Sequence, residues 1–423
     1  MLHKIKPKSE FGRNVLTLMS GTVIAQAIPI AITPILTRLY TPEEFGLFAL
    51  FFSILAIFSV VANGRYESAV MLPAKDEEAI NIFALGIVIN TTLSFSLLVI
   101  VIIFNDNITH LLGNKEISIW LYFVPISLFF TGLFNILTSF NNRQKNYRDM
   151  ADALIIKSLV MSSIQIIIGL LKSGVTGLIS GQIFSQLFAN MRLLKNIIKD
   201  KALVSSITLE QIMHLGKRYK KFPQFSLPSA LANVLSGHLS NILISSFFSV
   251  TTLGLYSLVQ RILGVPSALI GKSISMVYYE EGTKEKIQTG SAIKIFNSTL
   301  KKLIVIGIPF FGILFFIVED LFVFVFSEEW RVAGHYAQIA IPMFLISFVV
   351  SSLSATYDMF EALKTELLWQ VILLIGSVFL VISSHLLSLE FQTLLIVLTM
   401  YISIMQLVSL YIIRKILLGK VIN

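Results

Sequence analysis

Long apolar runs constrain this chain more than any other feature. A helix needs about 20 predominantly apolar residues to cross a bilayer core. By that measure twelve stretches qualify, roughly 14–37, 45–72, 79–104, 117–140, 152–171, 175–192, 223–247, 253–277, 299–326, 335–360, 367–387 and 391–413. As α-helices they would satisfy their own backbone hydrogen bonds, which lipid demands. Only 13% of the residues are charged, against about 25% in soluble domains. The expected fold is therefore an all-α membrane protein with twelve transmembrane helices. The first run is longer than the apolar core of a cleavable signal and reads as a retained span.

The formal net charge of +9 would suggest nucleic acid in a soluble chain. Here the cations distribute by topology. With the basic head Met1–Arg13 inside, 25 Lys and Arg residues fall on inner segments and four on outer ones, Arg38, Lys115, Lys172 and Arg331. Such a bias orients membrane proteins, and it places both termini in the cytoplasm. It leaves no footprint for nucleic acid. Four cations remain within spans: Arg65, Lys157, Arg261 and Lys272.

The chain also repeats. Shifted by 208 residues, Ile35-Leu36 falls on Leu243-Ile244, and Gly46-Leu47-Phe48-Ala49-Leu50 on Gly254-Leu255-Tyr256-Ser257-Leu258. This predicts two six-helix lobes around a central cavity, residues 1–192 and 223–413. A basic, partly amphipathic linker, 193–222, would join them as an interfacial helix, and 414–423 would form a cytoplasmic tail.

Five spans carry small or polar residues at helical spacing, which puts them on one face. One such stripe is commonly a helix contact; five fit a shared, wet cavity better. Gln26, Asn135, Gln165, Asn233 and Asn241 are its expected polar lining. Arg65 and Arg261 are the foremost candidates to hold an anionic substrate, followed by Lys272 and Arg38. Arg offers paired hydrogen bonds to phosphate, Lys a point charge. On a straight helix Arg261 and Lys272 would share a face roughly 16 Å apart. By the repeat, Lys272 falls on Gly64, beside Arg65. Glu67 and Asp358 are candidate ion-coupling carboxylates. Glu67 is too near Arg65 in sequence to share its helix face, so that pair should be weak.

The chain has no Cys, hence no disulfide and no thiolate site. Its six His are scattered without metal-ligand spacing. There is no phosphate-cradling glycine loop. No catalytic residue, metal or cofactor is expected, and the chain does not read as an enzyme.

Two stretches are familiar. Ile35-Leu36-Thr37-Arg38-Leu39-Tyr40-Thr41-Pro42-Glu43-Glu44-Phe45-Gly46 and Asn63-Gly64-Arg65-Tyr66-Glu67-Ser68-Ala69-Val70-Met71-Leu72-Pro73 resemble bacterial O-antigen and polysaccharide flippases. Lys220-Lys221-Phe222-Pro223-Gln224-Phe225-Ser226 opens the second half in a similar way. These flippases belong to the multidrug/oligosaccharidyl-lipid/polysaccharide exporter superfamily. The resemblance implies translocation of an undecaprenyl-diphosphate-linked oligosaccharide from the inner to the outer face of the bacterial inner membrane. It implies an ion-gradient drive, with membrane lipids, a polysaccharide polymerase and a chain-length regulator as partners. A drug–cation antiporter of the same fold is one alternative, though it would favour an acidic cavity. A membrane-embedded polymerase is the other, but the longest outer loop, Asn105–Glu116, is too short for a catalytic one.

Overall fold

The computed structural model describes residues 10–419, excluding the side chains of residues 10–16 and of residue 229. Lys4, Lys6 and Lys8 of the basic head, and Lys420 of the tail, lie outside the described residues. The described chain is helical nearly throughout. It begins with α1 (Glu10–Leu39), α2 (Pro42–Val61) and the one-turn α3 (Tyr66–Ala69). Next come α4 (Asp76–Leu111), α5 (Ile117–Leu121), α6 (Phe123–Arg143), α7 (Tyr147–Leu170) and α8 (Thr176–Lys199). The short α9 (Lys201–Ser205) and α10 (Leu209–Arg218) lead through a π turn, Phe222–Ser226, into α11 (Leu227–Phe247). Beyond lie α12 (Val250–Leu263), a second π turn (Ser267–Gly271), α13 (Lys272–Thr289) and α14 (Ile293–Phe326). The chain ends with α15 (Arg331–Leu353), α16 (Ala355–Met359), α17 (Leu363–Leu386) and α18 (Phe391–Leu417).

Among the described residues nine helical segments are long and apolar enough to cross a membrane, and the bent pair α12–α13 counts as a tenth. This is a multi-pass helical membrane protein. The expected sixth and seventh spans do fold as helices, α8 and α11, but are less apolar than the rest. For α8 the reason is visible. Gln182, Ser185, Gln186 and Asn190 lie buried along it, turned from lipid toward protein as polar groups in a bilayer must be.

The contacts divide the chain into two units. One joins the chain up to Tyr40 with Leu50–Val234; the other joins Thr41–Ala49 with Leu235 onward. The 193–222 stretch groups with the first.

In the first unit, α7 packs against α1 and α8. Pro29 cannot donate to the carbonyl of Ala25, one turn earlier. The Ser158 hydroxyl on α7 donates to that carbonyl instead, at 2.6 Å. Tyr40 lays its ring across Gly169 and Gly177 and donates to the Gln165 carbonyl at 2.6 Å. A Cβ on Gly177 would stand 2.0 Å from the Tyr40 oxygen. The stripe expected on the fifth span, Ser158, Ser162, Gln165 and Gly169, is thus a packing seam. Its place in the expected wet cavity is corrected accordingly.

In the second unit, the repeat becomes geometry. The helix ends recur at the same 208-residue interval: Leu39 with Phe247, and Pro42 with Val250. The equivalent glycines also face one another. A Cβ on Gly46 would stand 1.9 Å from the Val250 carbonyl oxygen, and one on Gly254 would stand 1.7 Å from that of Pro42. The first turns of α2 and α12 therefore cross backbone against backbone. Phe45 packs edge-on against Trp330 beside them, with centroids 5.0 Å apart.

Gly46→Ala and Gly254→Ala should each destabilise the protein by about 1–3 kcal/mol through overpacking. Gly237→Ala is the control: its Cβ meets nothing within 4 Å. Replacing a helical glycine there should be neutral or stabilising by about 0.5–1 kcal/mol. Thermal unfolding in detergent distinguishes them; equal effects at the three sites would refute the crossing.

Candidate functional site

The most constrained cation lies where a helix fails. The sequence predicts one run from 45 to 72, but α2 ends at Val61 and the chain turns over residues 62–65 before α3. Asn63-Gly64 is a turn dipeptide, and it is the signal that the apolar run obscured. Gly64 takes φ +59° and Arg65 takes φ +64°. Two consecutive left-handed residues reverse the helix sense. Glycine accepts this freely, whereas an Arg there bears strain of order 1 kcal/mol or more. Asn63 is buried and anchors the turn, its amide donating to the Gly86 carbonyl on α4 at 3.2 Å.

That conformation brings together residues a helix would separate. Arg65 Nη1 lies 3.2 Å from Glu67 Oε1. The expectation that these two could not pair assumed helical geometry; the left-handed Arg65 removes that premise. Arg65 Nε donates to Ser226 Oγ at 3.3 Å, at the end of the first π turn. The hydroxyl of Tyr66 donates to the Gly216 carbonyl at 2.9 Å, near the end of α10. The Arg65 side chain keeps 29% of its surface exposed, Glu67 15%. The cation is held at two points yet open on one side. Glu67 Oε2 is buried without a hydrogen-bond partner among the described residues. Burial pushes the Glu67 carboxyl above its ordinary range, against the pull of its own backbone N–H and of Arg65. Just beyond α3, Arg143 pins the loop into α4, donating to the carbonyls of Val70 and Pro73 and to Asp76.

The second unit also breaks its matching helix, beginning a few residues earlier, after Leu263. Shifted by 208, residues 59–63 fall on the π turn Ser267–Gly271 and Gly64 on Lys272. Lys272 is exposed at the first position of α13. Arg261 is half-buried in the last turn of α12. The expectation that these two share a helical face is corrected, because the axis bends by 40° between them and a π turn intervenes. The extra residue of a π turn rotates everything beyond it out of α-helical phase.

The other candidates fall in varied places. Arg38 is exposed at the end of α1, with Nη1 donating to the Pro34 carbonyl at 2.7 Å. Gln26 and Asn135 are half-buried and Asn233 is exposed. Asn241 is buried and shares an amide pair with Gln260, at 3.3 and 3.4 Å. Gln165 donates to the Leu178 carbonyl on α8 at 3.3 Å. Asp358 is exposed on α16. Lys157, the in-span cation that the sequence ranks last as a ligand contact, lies near the middle of α7. Its Nζ stands 4.9 Å from the Phe134 ring centroid on α6. That cation–π partner is 23 residues away, on another helix, where one-dimensional spacing could not find it.

Against known proteins, the model of the polysaccharide biosynthesis protein family matches residues 35–334. The chain belongs to that family. It is 27% identical over 117 residues to the teichuronic acid biosynthesis protein TuaB of Bacillus subtilis (strain 168), a stretch covering 28% of this chain and 24% of that one. The match thus spans about a quarter of that relative's length. Among solved structures it resembles the lipid II flippase MurJ in an inward closed conformation. The TM-score is 0.69 at 15% identity, over 96% of this chain and 90% of that one. It also resembles an inward-facing multidrug resistance MATE family transporter of the MOP superfamily, with TM-score 0.68 at 15% identity over 95% of both chains. The chain shares its fold with these two structures, which are of a flippase and a transporter.

Two measurements test the turn. Arg65→Gly and Arg65→Ala lose the same side-chain contacts, but only Gly relieves the left-handed backbone. The Gly variant should be the more stable by about 1 kcal/mol, read by thermal unfolding; equal stability would mean the turn is not strained. For Glu67, the folded state holds the proton to higher pH than the unfolded chain does. Stability should therefore fall as pH rises through the window above the ordinary value of 4.5, because the native state binds more protons there. Glu67→Gln should flatten this slope, and an unchanged slope would place its origin elsewhere.

Proposed function

We propose that this protein is a flippase. Its substrate would be the undecaprenyl-diphosphate-linked repeat unit of O-antigen or another surface polysaccharide, moved from the cytoplasmic to the outer face of the bacterial inner membrane. One observation carries the reading beyond family and fold: a cation held half-buried on a strained left-handed turn. Backbone strain of this kind gathers at functional sites because packing elsewhere must hold it in place. A purely structural ion pair would not need it. Arg65 is the proposed contact to the diphosphate or to an acidic sugar, since a guanidinium matches phosphate oxygens in paired geometry. Lys272, after the corresponding break, is the proposed equivalent in the second half. Arg261 and Arg38 are proposed further contacts.

In this reading α8 and α11 also cross the membrane, giving twelve spans with both termini in the cytoplasm. Transport proceeds by alternating access, and an ion gradient supplies the drive. Glu67 suits the coupling role better than Asp358, because its carboxylate is desolvated beside the proposed anion contact. Protonating Glu67 would free Arg65 from its partner, giving the two states different affinities for an anion; without such a difference no ligand can shift them. A polysaccharide polymerase and a chain-length regulator would act on the delivered unit.

Deleting the gene should leave lipid-linked repeat units on the inner leaflet and reduce surface polysaccharide. Normal surface polysaccharide with no accumulated intermediate would end the flippase reading. Arg65→Ala should lower surface polysaccharide at unchanged protein level, read by blotting both; wild-type output would remove the ligand role while leaving the flippase reading intact.

A further inference from the structure

The α10 helix has two apolar stripes, and the fold covers only one. Leu215 is buried in the first unit's core, where Ile207, Tyr219 and Phe222 also pack. Around the helix from them, Leu209 and Met213 stand one turn apart and are 71% and 56% exposed. Lys217, Arg218, Lys220 and Lys221 follow, all exposed. Arg218 reaches Glu78 at 3.5 Å, and Glu210 is the one acidic residue within α10 itself.

The depth of this helix follows from α4. Up to its kink at Phe104, α4 is about 42 Å long, still beyond the roughly 30 Å of a hydrocarbon core. Asp76, Glu77 and Glu78 in its first turn hold that end in water. The linker rests there: Asn81 donates to the Ser206 carbonyl at 3.0 Å and accepts from the Thr208 backbone at 2.9 Å. Gly216 sits over Leu85. So α10 lies at headgroup depth, with an uncovered apolar stripe and a cationic end. An aqueous surface explains the lysines but not Leu209 and Met213; hydrocarbon explains the reverse. An anionic headgroup layer accommodates both.

One hydrogen bond then joins this helix to the site, and a second joins the π turn that follows it. Tyr66 is bonded to the Gly216 carbonyl, and Arg65 to Ser226 just beyond. We infer that α10 docks on anionic lipid headgroups and that this docking, transmitted through Tyr66, sets the position of the Arg65 turn. The lipid is then a ligand of the carrier as well as its solvent.

The chain has no cysteine, so single labels are clean. The full-length protein carrying Met213→Cys, labelled with an environment-sensitive fluorophore, is reconstituted in phosphatidylcholine with or without phosphatidylglycerol. Phosphatidylglycerol should shift the emission to the blue and reduce iodide quenching, and high salt should reverse both. Replacing Lys217, Lys220 and Lys221 with Gln should lower the docked-to-undocked ratio about fivefold per lysine. Identical spectra and quenching in the two lipids would overturn the docking. A label at Ser68→Cys reports the turn. It should respond to phosphatidylglycerol in an otherwise native chain and lose that response with Tyr66→Phe, while the Met213 label still responds. A Ser68 label that responds equally with Tyr66→Phe would overturn the coupling. These readouts need no transported substrate, so their failure is distinct from failure of the flippase reading.

Discussion

The second unit depends on a place where two backbones touch. Gly46 and Gly254 occupy equivalent positions of a duplicated hairpin, and each lies against the carbonyl oxygen four residues before the other. Lipid supplies little hydrophobic drive between helices, so close backbone approach and dispersion must hold them. Because each missing Cβ would meet main-chain atoms, no side-chain change on the facing helix could make room for one. The nine residues Thr41–Ala49 accordingly group with the second unit although the rest of their helix groups with the first.

Much of this was legible in one dimension. The apolar runs gave the helices, and the 208-residue shift gave the matched hairpins down to their terminal residues. The register of Gly46 on Gly254 was visible as a sequence match, though not as a physical contact. What stayed hidden were the interruptions. The apolar character of 45–72 and 253–277 continues across both breaks, because a turn or a π bulge inside a bundle still faces apolar neighbours. Hydropathy therefore cannot register them. Asn63-Gly64 and the Gly264-Val265-Pro266 run were the local signs, and both were outvoted by length.

The interruptions matter most for the charged residues. On an unbroken helix Arg65 would be an ordinary cation near a helix end, and Glu67 would point elsewhere. The left-handed pair at Gly64 and Arg65 folds the carboxylate back onto the guanidinium and aims the guanidinium at Ser226. The polar stripes are a complementary lesson. Their spacing placed residues on a common face correctly, but spacing does not say what that face meets. For Ser158, Ser162, Gln165 and Gly169 it meets other helices.

The seam between α1 and α7 has a mechanical meaning. Pro29 exposes one carbonyl and Ser158 engages it; just past the C-terminal end of α1, Tyr40 engages the Gln165 carbonyl on α7. Two pegs, at Ala25 within α1 and at Tyr40 just past its end, seven residues apart on α7, prevent the pair from both sliding and rolling. A slip of one residue, about 1.5 Å, would strand an acceptor in a medium with no water to replace the lost bond. Shear at this seam is therefore expensive, and whatever movement the protein makes, these two helices travel together as one strut.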